Sequence, residues 1–144
     1  MRKIKFRAWD DFNKEMYLYD NPITHTFWID FHGHLFRPSG IREFVSLDDK
    51  GFFLMQSIGL KDSKGHEVFE GDILEIDSDG EKSIHKVVWG GKDYPAWDLY
   101  PFLDCESNCF SEIECSGYYK MKVIGNIYEN KDLLNKIPQD QKQF

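Results

Sequence analysis

Gly59, Gly65 and Gly71 cut the stretch GLKDSKGHEVFEGDIL at six-residue intervals. Two structures use glycines this way: a phosphate-cradling loop, or a set of tight turns between strands. A Walker-type loop needs G-x4-G-K-[ST] between a strand and a helix, so that backbone N–H groups and the helix dipole meet the anion. Here Gly65 is followed by His66-Glu67 and then by strand-like residues, and Asp62, Glu67, Glu70 and Asp72 would repel a phosphate. The glycines therefore read as turns. Lys61–Gly65 has hairpin-turn composition with Gly65 at a positive φ, and Glu70-Gly71-Asp72 is a second break before the strand ILEI.

The rest of the chain has the same short rhythm. RKIKFRAW alternates with period two, Ile4, Phe6 and Ala8 on the inner face and Lys3, Lys5 and Arg7 on the outer. DDFNKEM is a turn and MYLYD a returning strand. THTFWIDF is strand-like, and Gly33 turns the chain into HLF. IREFVSLDDKG is ambiguous between a short helix capped by Ser39, reaching Phe44, and a loop. FFLMQSIGL is an apolar buried run. IHKVVWGG is a strand ended by glycines. YYKMKVIG buries Tyr119, Met121 and Val123, while Gly125 lets the backbone pass close to a neighbour. Residues 92–117 have weak periodicity and read as an excursion with one short strand near Leu99–Leu103. Asn130 suits the N-cap of a terminal helix whose apolar face is Leu133, Leu134 and Ile137, stopped by Pro138.

The expected fold is mainly β (α+β): a β-rich N-terminal lobe over residues 1–50, and an SH3-like β-barrel plus a short C-terminal helix over 51–138. Residues 139–144 form a polar tail. A chain of 144 residues has enough core to fold without disulfides or metals. Its 12 Phe, 7 Tyr and 4 Trp separate it from disordered chains, which are poor in aromatics.

Three blocks, RKIKFRAWD with KEMY, LMQSIGLKDSKGHEVFEGDIL and VIGNIYENKDLL, resemble the YopX family of small proteins from phages and prophages of Gram-positive bacteria. Lys131 stands where that family often has Pro. The resemblance implies an SH3-like barrel in the C-terminal part, a phage or prophage origin and a bacterial host cytoplasm. It implies no catalytic residue.

Candidate sites are sparse. His32 and His34, with His25, are a weak metal pattern and read better as surface histidines. Cys105, Cys109 and Cys115 are spaced C-x3-C-x5-C, unlike a zinc ribbon. An odd count fits reduced cytosolic thiols, and Glu106, Glu112 and Glu114 disfavour a reactive thiolate. No nucleophile elbow is present, so the chain is read as a non-enzyme without metal or cofactor. No apolar run is long enough to cross a membrane, and the N-terminus does not read as a signal peptide. A net charge of −7 argues against general nucleic-acid affinity, although local distribution matters more than the sum. The best lead is the basic strand Lys3, Lys5 and Arg7 with Trp9, which suits either a partner contact or single-stranded nucleic acid. An edge strand guarded by lysines has the same pattern. The aromatic excess suits an interface. The functional expectation is an accessory protein that binds itself and another host or phage protein, with nucleic acid binding as the alternative.

Overall fold

The computed structural model describes residues 3–18, 27–38, 44–48, 50–91, 94–104 and 108–139. Among them are eleven strands and two helices, so the fold is mainly β. The chain divides into two compact units, Lys3–Gln56 and Ser57–Phe144. The division falls inside a strand.

In the first unit, β1 (Phe6–Asp10) and β2 (Glu15–Leu18) form a hairpin. β1 also pairs with the opening half of β6 (Phe52–Lys61), Phe6 opposite Gln56 and Asp10 opposite Phe52. The turn between β1 and β2 is made by Asp10, which is 1% exposed. Its Oδ1 accepts the N–H groups of Phe12 and Asn13 at 2.9 and 3.0 Å, and its Oδ2 accepts from the Asn13 amide at 2.7 Å. β3 (Trp28–Ile29), β4 (Leu35–Pro38) and β5 (Phe44–Ser46) form a second, small sheet. Ala8, Leu35 and Leu47 form a core with Phe27, Phe52 and Leu54 around them.

Two expectations fail here. β1 begins only at Phe6, so Ile4 is 67% exposed instead of buried. Phe44 ends no helix and lies in no loop, because it starts β5 and pairs with Pro38. Residues 39–43, including the proposed Ser39 cap, lie outside the described residues.

In the second unit, β6 continues through Lys61 and pairs with β7 (Glu67–Phe69). β8 (Asp72–Ser78), β9 (Glu81–Trp89), β10 (Trp97–Tyr100) and β11 (Tyr119–Asn126) form an antiparallel sheet in the order β10-β9-β8-β11. The alternation read in the sequence is real: Leu74, Ile76, Val87, Leu99 and Met121 face one core with Ile58 and Val68.

That core is closed by an element the sequence did not reveal, α1 (Cys109–Ser116). It contributes Cys109, Phe110 and Ile113. Asn108 accepts the Ser111 N–H at 3.0 Å as its N-cap, and Gly117 ends it at φ 63°. β10 lies two residues earlier than expected because Pro101 brings no N–H to a ladder. α2 (Lys131–Leu134) is a single turn, and the Lys136 and Ile137 N–H groups close i→i+3 bonds behind it. Asn130 precedes it, but its side chain makes no cap bond. The Asn130 carboxamide reaches back to the Asn126 N–H at 3.0 Å, and a Cβ on Gly125 would strike it.

The glycine-punctuated stretch is the hinge of this unit. Gly65 turns at φ 86° and Gly71 at φ 76°. Asp62, 5% exposed, organises the first turn. Its Oδ1 accepts from Lys64 N at 2.9 Å and His66 N at 2.8 Å; its Oδ2 accepts from Val123 N, in β11, at 3.1 Å. His66 Nδ1 lies 3.2 Å from the same carboxylate. Burial alone pushes the Asp62 carboxyl up, but these donors together hold it below its ordinary value.

Asp62→Ala leaves several N–H groups without an acceptor. Each orphaned buried donor costs about 1–3 kcal/mol, so a loss of at least 2 kcal/mol is expected in urea unfolding at pH 7. A variant within about 0.5 kcal/mol of the parent would show that the carboxylate is dispensable. Because the folded pKa lies below the unfolded one, this stabilisation is present above the ordinary carboxylate range. It disappears as pH falls through the folded pKa.

His85 is a second titrating group within the unit. It is 4% exposed in β9; Nδ1 lies 2.5 Å from the Pro101 carbonyl and Nε2 2.6 Å from Ser83 Oγ. Nδ1 therefore carries the proton, and Ser83 donates to Nε2. Burial pushes the imidazole pKa down, with the Pro101 carbonyl opposing in part. Its contribution is complete above the ordinary histidine pKa of about 6.5 and falls as pH drops from there through the folded value. Urea unfolding at about pH 7.5 and 5.5 should show a stability loss that His85→Gln reduces. An unchanged pH slope in the variant would assign the loss to other groups.

Candidate functional site

The basic N-terminal strand is only partly a surface feature. Lys3 is exposed, Lys5 and Arg7 are half-buried, and Trp9 is 3% exposed. One Arg7 guanidinium nitrogen lies 3.6 Å from Met55 Sδ on β6, directly across the ladder. Trp9 donates its indole N–H to Asp11 Oδ1 at 3.2 Å. The strand has β2 on one side and β6 on the other, which is why its second half is enclosed. A base cannot stack on an indole held in this way, so the four residues do not form one open stacking face. Lys3 and the exposed edges of Lys5 and Arg7 are what a partner would meet.

The histidines have structural partners. Asp30 caps the β3–β4 turn by accepting the N–H groups of His32 and His34 at 2.8 and 2.9 Å, and Gly33 turns at φ 87°. His34 Nδ1 lies 2.8 Å from Asp30 Oδ2, and its Nε2 lies 4.0 Å from Asp48 Oδ2. The His34 side chain, beside Asp30, holds the Asp30 carboxyl down at about 2, and Asp30 raises the imidazole pKa in turn. The ring of His32 stacks on that of His34 at 5.9 Å. No cluster of three or more His, Cys, Asp or Glu suited to a metal occurs among the described residues. His25 and Cys105 lie outside them. Cys109 is buried in α1 and Cys115 exposed.

What the surface does offer is aromatic area. In the first unit Phe12 is 87% exposed at the β1–β2 turn, Trp28 is 54% exposed, and the Phe31 ring lies wholly in solvent. Phe31 lies two residues beyond β3, on the turn that Asp30 caps. In the second unit Trp89 is 56% exposed at the end of β9. It packs edge-on against Trp97 at 4.8 Å, its cross-strand partner on β10. Tyr118 is exposed just beyond α1. Rigid aromatic side chains with few rotatable bonds bury much area at little entropic cost, and they are the residues enriched at protein interfaces. The aromatic excess was legible in composition; which rings face water was not, because it depends on sheet register.

Among the described residues no helix is long and apolar enough to cross a membrane. Comparison with curated proteins finds no match. Two solved structures resemble the chain over nearly its whole length. Protein EF1440 from Enterococcus faecalis is 30% identical with a TM-score of 0.58, covering 93% of this chain and 99% of that one. Protein YopX from Bacillus subtilis is 20% identical with a TM-score of 0.54, covering 92% and 98%, a likeness of fold. The family model described as YopX protein matches residues 5–135, which takes in the first sequence block from Lys5 onward, the other two blocks in full and the excursion between them. The chain belongs to the YopX family.

Proposed function

We propose that this protein works by protein–protein contact, with itself and with a host or phage protein, and not by catalysis. The observation that supports this reading is the set of exposed aromatic side chains, Phe12, Trp28, Phe31, Trp89 and Tyr118, on strands and the turns beside them. Such rings act as interface anchors: each fills a pocket on the partner, and a few carry most of the binding energy. The histidines that would serve acid–base chemistry are instead bonded into turns or buried, as His34 and His85 are. In the same reading the second unit is an SH3-like barrel, which its short antiparallel strands and family membership support. A phage or prophage origin and a bacterial host cytoplasm rest on the family alone.

Light scattering on the purified chain tests the self-contact. A mass above that of the 17.1 kDa protomer is expected at high concentration. Trp28→Ser with Phe31→Ser, or Trp89→Ser, should lower it, since each site is exposed and its loss spares the core. Losing one anchor costs about 2 kcal/mol of association, roughly thirtyfold in affinity. A strict monomer at every concentration, or an oligomer indifferent to all three substitutions, would remove self-association from the reading.

A further inference from the structure

One face of the β9-β8-β11 sheet carries every lysine of its three strands. Register puts its side chains in rows, because residues directly opposite each other share a face. Lys82, Asp77 and Lys120 form one row; Ile84, Glu75 and Lys122 form the next. A third row joins Tyr100, Lys86 and Ile73, and here the face closes over: Ile73 is fully buried and Lys86 and Tyr100 are half-buried. Four lysines thus meet two carboxylates, in a chain that has 25 acidic and 18 basic residues overall. Both carboxylates belong to the central strand, and the lysines flank them on both sides.

Three of the four lysines also stand further out, while Lys86 is half-buried. Glu75 is recessed at 27% side-chain exposure, while Lys82, whose Nζ it holds at 3.0 Å, is 57% exposed. Lys120 and Lys122 are exposed as well. An approaching anion therefore meets ammonium groups before carboxylates. Beside them are two rings: Lys86 Nζ sits 5.2 Å over the Tyr100 ring, and Phe102 lies edge-on to Tyr100 at 5.9 Å and is 36% exposed. Cations on adjacent strands with aromatic rings at one side suit a strand of phosphates whose bases are free to stack. An acidic protein partner would use the lysines but has no need of the rings.

We propose that this face binds single-stranded nucleic acid, with Lys120, Lys122, Lys82 and Lys86 meeting phosphates and Phe102 and Tyr100 stacking on bases. The site is distinct from the N-terminal basic strand, whose indole is enclosed. It is also independent of the exposed rings assigned to protein contact.

Fluorescence anisotropy of a labelled oligothymidylate with the full chain, at about 50 mM salt, tests it. Binding is expected, with an affinity that falls steeply as salt rises. The double variant Lys120→Gln/Lys122→Gln should weaken it about tenfold and flatten the salt slope by about 2. Lys86→Gln gives the same readout from β9, should the double variant melt early. Phe102→Ala should weaken it about fivefold or more, and Lys3→Gln should leave it unchanged. No anisotropy change at low salt overturns the proposal. So does unaltered binding by folded Lys120/Lys122 and Lys86 variants. Displacement by polyglutamate as effective as by unlabelled oligonucleotide would also overturn it, since it would show a general polyanion contact with no use of the rings.

Discussion

The carboxylate of Asp62 joins a turn to a strand far away in sequence, and the second unit is organised around that junction. Its two oxygens accept from Lys64, His66 and Val123, the last 61 residues further along the chain. A buried carboxylate without such donors would be neutralised or would unfold its surroundings. With them, the charge is stabilised by N–H dipoles that the turn must otherwise satisfy with water. The link works in both directions: the turn gains a rigid centre, and β11 gains a partner along its outer edge. Ser63 completes that edge by donating its N–H to the Met121 carbonyl at 2.8 Å.

The same device recurs. Asp10 holds the β1–β2 turn, Asp72 accepts the Phe69 N–H at 2.8 Å, and Asp98, fully buried, accepts from Leu99 and Cys109. Asp98 and Asn108 together dress the outer side of β10, since the Asn108 amide donates to the Trp97 carbonyl. Both outer strands of the second unit's sheet therefore have side-chain or turn partners for edge groups that would otherwise template pairing with another chain. Contact between copies, if it follows the exposed aromatic rings, is then a matter of side chains and not of strand addition.

Much of this was readable because it is local. Alternation in YYKMKVIG, the glycine at the tip of Lys61–Gly65 and the turn after β1 are decided by neighbours within a few residues, and the structure has them all. The failures involve distance. CFSEIECS is eight residues of middling helix propensity, and only its packing against β10 and β11 makes it a helix. Its own signals, Asn108 before it and Gly117 after it, were present but lay in a segment without clear period. Asn130 looks like a cap in sequence, and its carboxamide serves Asn126 instead. Trp9 reads as an exposed aromatic beside lysines, yet its burial follows from β6 returning on one side of β1, which no local pattern announces.

Charge shows the same limit in its sharpest form. The net value of −7 sums over groups that do different work. Asp10, Asp62, Asp72 and Asp98 are buried and committed to backbone N–H groups. Each is faced by oriented N–H dipoles, and across solvent the influence of any charge fades over a Debye length of about 8 Å at physiological salt. Lys82 of β9 and Lys120 and Lys122 of β11 are on the outside, in register, with shorter carboxylates between them. A ligand approaching that face responds to the nearest groups and not to the chain's total. An acidic protein can therefore present a basic surface without contradiction, and it does so here because its sequence places aspartates where turns need acceptors and lysines where strands meet water.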